Sequence, residues 1–470
     1  MSYRLNIEEI CKNFNFNKDS KIKLSHNTGN KIRILPYRAN FKDIYISNFK
    51  SITGEFSRLL SNKKVNTDFC LDSLCDQVVE KVEINLKDRD VFKDLVRELF
   101  FNRDNELQSF HPIIFNYTPL QHPEHKKIAS FLYNVLVNDG IKHSAFKMYD
   151  YKPRNIMLKL IIENLPGMHS SEKIDDENYI NYLPFVQSVF AEDFKCLLTN
   201  HMLFVENFEG FLKYYYFYYV SQLSIKLNQM FNADLDRPEP LLFILESEKI
   251  SKSRTCYTNG WKLLSGNINN LFSHASCLEL LNHIDKDDKS KLSYVDIKNT
   301  VDLLSEEQKE YFISDLDKLL SLYKDHIPNI DWNNFNIVNR PYNDDSVLNK
   351  VYELLRTIEY QFANSVGDRK SANQKYCNWF EYFCRKHFLK SHGSLGFTLT
   401  INQDYLILIT RLCMNNRERI GLKNLFYEYE RRGLFFDSDS KEAVIQLFDK
   451  LNLLEKKSDS GDAQYVKAIL

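Results

Sequence analysis

The hydrophobic pattern is clearest over Gly421 to Leu470. Leu422, Leu425, Phe426 and Tyr429 recur at i, i+3, i+4 and i+7, which predicts an amphipathic helix. Gly433 follows where a left-handed C-terminal cap would sit. Ser438 is placed to cap a second helix, Asp439 to Leu451, with Val444, Ile445, Phe448 and Leu451 on its inner face. Two strand-like runs, Leu453–Lys457 and Ala463–Ile469, flank the turn-forming Ser458-Asp459-Ser460-Gly461-Asp462. Upstream, Tyr405 to Ile409 is apolar on all sides, as a buried first helix would be. Three helices followed by a two-stranded wing is the order of a winged helix-turn-helix.

The rest of the chain is dominated by helical periods. The exception is near the start, where Lys21-Ile22-Lys23-Leu24 and Lys31-Ile32-Arg33-Ile34-Leu35 alternate around Asn27-Thr28-Gly29-Asn30. This predicts a β-hairpin with Lys21, Lys23, Lys31 and Arg33 on its outer face, to meet phosphate or simply water. From Asp68 to Leu165, Val91, Leu95 and Leu99 mark one helical stripe; Ile128, Phe131, Leu132, Val135 and Leu136 mark another. An extended interruption, Phe110 to Pro119, separates them, and His122 and His125 read as surface histidines at a helix start. Pro166 to Ser171, followed by Asp175-Asp176-Glu177, marks a boundary. Phe211 to Val220 carries aromatics on every helical face, which suits the core of a bundle better than a base-stacking surface. Asp285 to Ser290 departs from a calcium loop at Lys289, Ser290 and Asp296 and reads as a charged turn. Ser305-Glu306-Glu307-Gln308 is a capping box, and after a long connection helices resume over Ser346–Val366 and Ala372–Lys390. In the last of these Cys377, Phe380, Phe383, Cys384 and His387 share a core face. The expected architecture is mainly α: helical bundle domains with a short N-terminal β-hairpin and a C-terminal winged helix-turn-helix, divided as 1–165, 166–400 and 401–470.

Composition narrows the class. At 470 residues with 43% hydrophobic content the chain can bury a large core. Its 62 basic and 63 acidic residues leave a net charge of −1, so no global field draws it to nucleic acid or membrane. Thirteen glycines leave little material for phosphate-cradling loops. Nine scattered cysteines without a C-x-x-C read as free thiols in a reducing compartment. The start lacks the apolar region of a signal peptide, and no apolar run approaches the eighteen or so residues that span a bilayer. The expectation is a cytoplasmic protein with no membrane partner.

No phosphate loop, nucleophile elbow or paired zinc-ligand motif occurs, so no catalytic residue, metal or cofactor is assigned. A metal-dependent nuclease would need acids to hold magnesium and a lysine to orient water, which Asp449, Glu455 and Lys457 mimic. Asp449, however, belongs to the preceding helix, only six residues upstream of Glu455. For contacts, Lys441, Gln446 and Lys450 occupy the outer face of the second helix, and Lys456, Lys457 and Lys467 the wing. Glu442, Asp449, Glu455, Asp459 and Asp462 oppose them. On such a mixed surface, groove contact with DNA and docking onto a partner protein stand side by side.

Three strings carry a family likeness: Lys21 to Pro36, His111-Pro112 through Tyr117-Thr118-Pro119, and Leu451 to Lys467. In them the chain resembles the DNA phosphorothioation-dependent restriction protein DptG family, across its whole length. The resemblance implies a role in bacterial immunity. In such systems sulfur replaces a non-bridging backbone oxygen on self DNA, and a three-protein restriction machine acts on DNA lacking that mark. The two partners would be ATPase or helicase-like restriction subunits, and this chain the non-catalytic adaptor, with DNA contact through the winged helix as an open possibility. The alternatives are a metal-dependent nuclease subunit and a stand-alone DNA-binding regulator. The family brings no catalytic residues to carry over.

Overall fold

The computed structural model describes residues 3–16, 24–65, 71–103, 106–149, 153, 155–170, 179–284, 291–337, 340–342, 345–456 and 464–469, with backbone alone at 71, 72, 146 and 456. Among these the chain is mainly helical, with three small sheets.

Near the start, α1 (Phe49–Ser61) is capped by the Asn48 side chain. Strand β1 (Lys63–Val65) leads to α2 (Leu71–Glu80) and α3 (Arg89–Phe100). Then come α4 (Pro123–Leu136), α5 (Ile156–Asn164) and β2 (Met168–Ser170), which pairs antiparallel with β1. In α4 the expected stripe Ile128, Phe131, Leu132, Val135 and Leu136 is fully buried. The stripe expected on α3 is not: Val91 is 70% exposed, Leu95 45% and Leu99 52%. It is the adjacent stripe, Phe92, Val96 and Phe100, that packs with Leu74, Val78 and Ile161 in a small separate cluster. Two further expectations give way here. Residues Pro112–Tyr117 form a buried 3-10 turn in place of an extended run. His125 is fully buried, its Nε2 3.2 Å from the Ile44 carbonyl, while His122 caps α4.

The centre of the molecule is α6 (Pro184–Leu197) and the 29-residue α7 (His201–Gln229). All of Phe211 to Val220 except half-buried Lys213 is buried. An aromatic helix enclosed on every side works only if its hydroxyls find partners. They do: Tyr216 meets the Tyr37 hydroxyl at 2.6 Å, and Tyr219 accepts from the Tyr182 amide at 2.9 Å. Tyr214 and Tyr218 donate to backbone carbonyls near the C-terminus.

Strand β3 (Leu242–Leu245) precedes α8 (Leu271–Leu281), α9 (Glu306–Asp325), α10 (Ser346–Asn364) and α11 (Asp368–His387). The Ser305 capping box that opens α9 is formed as expected, and Cys377, Phe380, Phe383 and Cys384 of α11 are core. After β4 (Leu389–Ser391) and β5 (Phe397–Ile401) the chain runs through α12 (Gln403–Met414), β6 (Arg419–Gly421), α13 (Leu422–Arg431), β7 (Phe435–Phe436), α14 (Ser438–Lys450), β8 (Leu454–Lys456) and β9 (Gln464–Lys467). One sheet has the order β4-β5-β3-β7, another β6-β9-β8. A single hydrophobic cluster draws buried residues from Tyr3 to Val466, and so from all three stretches 1–165, 166–400 and 401–470.

The N-terminal hairpin is not formed over the described residues. Residues 24–35 contain no strand; Arg33 makes one parallel bridge to Tyr179, and Lys21 and Lys23 lie outside the described residues. The period-two alternation is nonetheless real, since Ile32 and Ile34 are buried and Lys31 and Arg33 are half-buried. What replaces the partner strand is one side chain. The amides of Gly29, Lys31 and Ile32 donate to the carboxylate of Glu279 on α8, at 3.0, 2.9 and 3.3 Å. Buried amides need an acceptor, and here a carboxylate supplies what a ladder would have. Burial pushes the Glu279 carboxyl up, and those amides pull it part of the way back.

No helix among the described residues is long and apolar enough to cross a membrane. No disulfide joins the described cysteines; Cys70 lies outside them.

Candidate interaction surface of the C-terminal module

The last seventy residues build a module of three helices and one antiparallel sheet. Strand β9 sits between β6 and β8, pairing Ile420 with Val466 and Leu454 with Val466 on its two edges. Leu406, Ile409, Leu425, Tyr429, Val444, Phe448 and Val466 fill the interior. Helix α12 is capped by Asn402. Helix α14 is capped by Asp437, one residue before the expected Ser438, through its 3.0 Å bond from the Ser440 amide.

The corner between α13 and α14 is the part most deeply joined to the rest of the molecule. Leu434 is fully buried, and β7 pairs in parallel with β3, so the corner completes the four-stranded sheet. Arg432, 3% exposed, makes a two-pronged contact with Asp193 of α6, itself 2% exposed, at 2.6 and 2.9 Å. Arg432 also reaches Glu428 at 2.7 Å, and Tyr215 donates to Asp193 at 2.5 Å. Burial, then the neighbouring Asp193 charge, pushes the Tyr215 phenol well up, so it stays a donor. Tyr214 and Tyr218 donate to the carbonyls of Arg432 and Arg431 at 2.9 and 2.7 Å. These tyrosines cap the carbonyls that the end of α13 leaves without intrahelical partners. Gly433 is required twice here. Its φ is +76°, and a Cβ would lie 2.2 Å from the Tyr218 ring.

A second ionic joint holds the start of α14. Arg254 bonds Asp437 at 2.6 and 3.1 Å, Glu248 at 2.9 Å and the Ser440 hydroxyl at 2.7 Å. Burial alone would raise the Asp437 carboxyl. The Arg254 bonds, the Ser440 amide and Cys256 outweigh it and hold that carboxyl well below the usual range. What the first turn of α14 leaves exposed is Ser438, Asp439 and Glu442.

The expected contact residues fall into separate groups. Gln446 and Lys450 are exposed one turn apart on α14, with Gln446 3.4 Å from Glu442. Lys441 is engaged within the module, 3.4 Å from Glu430 and over the Phe426 ring at 5.4 Å. Lys467 is exposed on β9, and Lys456 pairs with Gln464 on β8. Lys457 lies outside the described residues. Lys31 and Arg33 belong to the Glu279 loop instead, Lys31 on Glu9 at 2.6 Å and Arg33 donating to the Gly29 carbonyl at 2.7 Å. Of the nuclease-like set, Glu455 on β8 is 3.5 Å from Arg419 on β6, and Asp449 is exposed on α14. Among the described residues no group of three or more His, Cys, Asp or Glu is placed to hold a metal.

Sequence reasoning missed Asp193, Arg254, Arg432 and Asp437, which tie the module down. A signal existed for the first of them. Asp193 interrupts the otherwise apolar Phe190 to Leu197 face, and a lone acid there calls for a buried cation.

No protein-family model matches the chain, and no curated protein matches it significantly.

Proposed function

We propose that the chain is a non-catalytic adaptor subunit of a DNA phosphorothioation-dependent restriction complex. In this reading residues 401–470 are a winged helix, used to dock a protein partner. The order α12-β6-α13-α14-β8-β9 with strands arranged β6-β9-β8 supports the winged-helix assignment. The likeness to the DptG family supports the restriction setting, with ATPase or helicase-like subunits as partners.

The observation that carries docking over base reading is the start of α14. A reading helix enters the major groove with its N-terminal residues. Here that turn is fastened to Arg254, which also lies 3.4 Å from Asp439, and exposed Glu442 would repel phosphate. Exposed Gln446, Lys450 and Lys467 remain for a partner. A second reading, DNA contact by the strands, is favoured by Lys467 beside Arg419, which pair across β6 and β9.

Co-purification with the two partner subunits tests the assignment. Combined Gln446→Ala, Lys450→Glu and Lys467→Glu should abolish the complex and leave the chain folded. A complex that assembles undiminished would remove the docking surface.

A further inference from the structure

A cavity of about 540 Å³ opens between the loop over residues 24–39 and the start of α11, away from the C-terminal module. Among the described lining residues four are cationic, Arg33, Arg38, Lys127 and Arg369, and one is a carboxylate, Asp368. Lys127 is neutralised by Glu124 at 2.8 Å, and Arg33 is tied to the Gly29 carbonyl. Arg38 and Arg369 are different. Among the described residues neither pairs with a carboxylate, and the Nε of Arg369 is buried without an acceptor. Arg369 is held on its other side by the Asn329 side chain. Buried donors in native proteins nearly always have partners, so this one asks for an acceptor.

The remaining walls decide how an anion would be held. The loop amides are committed to Glu279, so they do not form a phosphate cradle. His26 is bonded to the Tyr323 hydroxyl at 2.7 Å, and burial, then Arg369, pushes it down to about 3, leaving it neutral. Recognition therefore falls to guanidinium groups, whose planar forks match phosphate oxygens. Tyr37, Phe272 and Tyr376 supply apolar wall.

We propose that this cavity binds a nucleotide-sized phosphate ester, with Arg38 and Arg369 as its phosphate ligands. The volume lies within the range of about 300–1,000 Å³ usual for a single small molecule, and a duplex does not fit. The same phosphate chemistry is carried by a free nucleotide and by the phosphorylated end of a DNA strand; the size commits the site to the free nucleotide.

Calorimetric titration of the full chain without divalent cations tests this, using ADP, inorganic pyrophosphate and a short single strand with or without a 5′-phosphate. ADP and pyrophosphate should compete for one site. Arg38→Glu, at an exposed position, and Arg369→Gln should each weaken both by about tenfold or more, with thermal unfolding of the Arg38→Glu chain unchanged. If Arg369→Gln fails to fold, Arg38→Glu alone decides. Absence of ADP and pyrophosphate binding at millimolar concentration, or affinity unaffected by Arg38→Glu, overturns the proposal. A 5′-phosphorylated strand that binds where ADP does not would overturn the small-molecule assignment and give the site to DNA ends.

Discussion

Helices α7 and α3 are both rich in apolar residues, yet they meet the core in opposite ways. In α7 from Phe211 to Leu227 the aromatics surround the helix, and every residue but half-buried Lys213 is buried. In α3 two apolar stripes lie side by side, Val91-Leu95-Leu99 and Phe92-Val96-Phe100. Only the second faces the core, with Val96 and Phe100 buried and Phe92 half-buried; the first stands in solvent. Helical periodicity identifies both segments as helices. Where two stripes are offset by one residue, periodicity cannot choose between them, and the larger area removed from water by the aromatics decides. The difference extends to what each helix holds. Helix α7 caps the C-terminal corner through Tyr214 and Tyr218, and its Tyr215 backs the clamp between Asp193 of α6 and Arg432, whereas the outward stripe of α3 holds nothing among the described residues.

The sharpest way to break this contrast is at the clamp. Asp193→Ala removes the two-pronged partner of buried Arg432, leaves it Glu428 alone, and should cost about 3 kcal/mol in urea unfolding. A loss below about 1 kcal/mol would mean that the corner does not depend on the pair. Gly433→Ala should follow at roughly 2–4 kcal/mol, from the left-handed backbone and the Tyr218 clash together. Part of that loss should return in the Gly433→Ala, Tyr218→Leu double variant; no recovery would show that backbone strain alone matters.

The joint at Arg254 is smaller and depends on pH. Asp437→Asn should cost about 1.5–3 kcal/mol at neutral pH. The folded carboxyl is depressed below its unfolded value. Its stabilisation is therefore complete above an unfolded value of about 3.9 and is lost as pH falls through the folded one. The gap between wild type and Asp437→Asn should close on acidification, and a gap constant from neutral to acid pH would contradict the role given to Arg254. Smallest of all, Leu95→Ser on the outward stripe should change stability by no more than about 0.5 kcal/mol. A loss of core size there would mean the stripe is covered in solution.

What the sequence made legible was local. The capping box at Ser305, the stop at Gly433 and the core aromatics of α7 all follow from neighbours within a few residues. What it hid was distant. The loop that alternates like a hairpin strand finds its acceptor in Glu279, 248 residues from Lys31. Asp193 and Arg432 are 239 residues apart. The same limit applies to the candidate surface. Lys441, Gln446 and Lys450 do lie on the helix expected, but only the packing of Arg254 against Asp437 reveals that the start of that helix is occupied. The cavity cations Arg38, Lys127 and Arg369 come from three separate segments and share no spacing that could have marked them.

The most direct test of the central claim, that the C-terminal module docks protein and does not read bases, is a salt-titrated DNA-binding measurement on the purified chain alone. Phosphorothioated and unmodified duplexes of the same sequence would be compared. A docking module should bind weakly, without distinguishing the duplexes and without any change on Lys450→Glu. Tight binding with a steep salt dependence that Lys450→Glu and Lys467→Glu flatten would contradict it and make the module a DNA site.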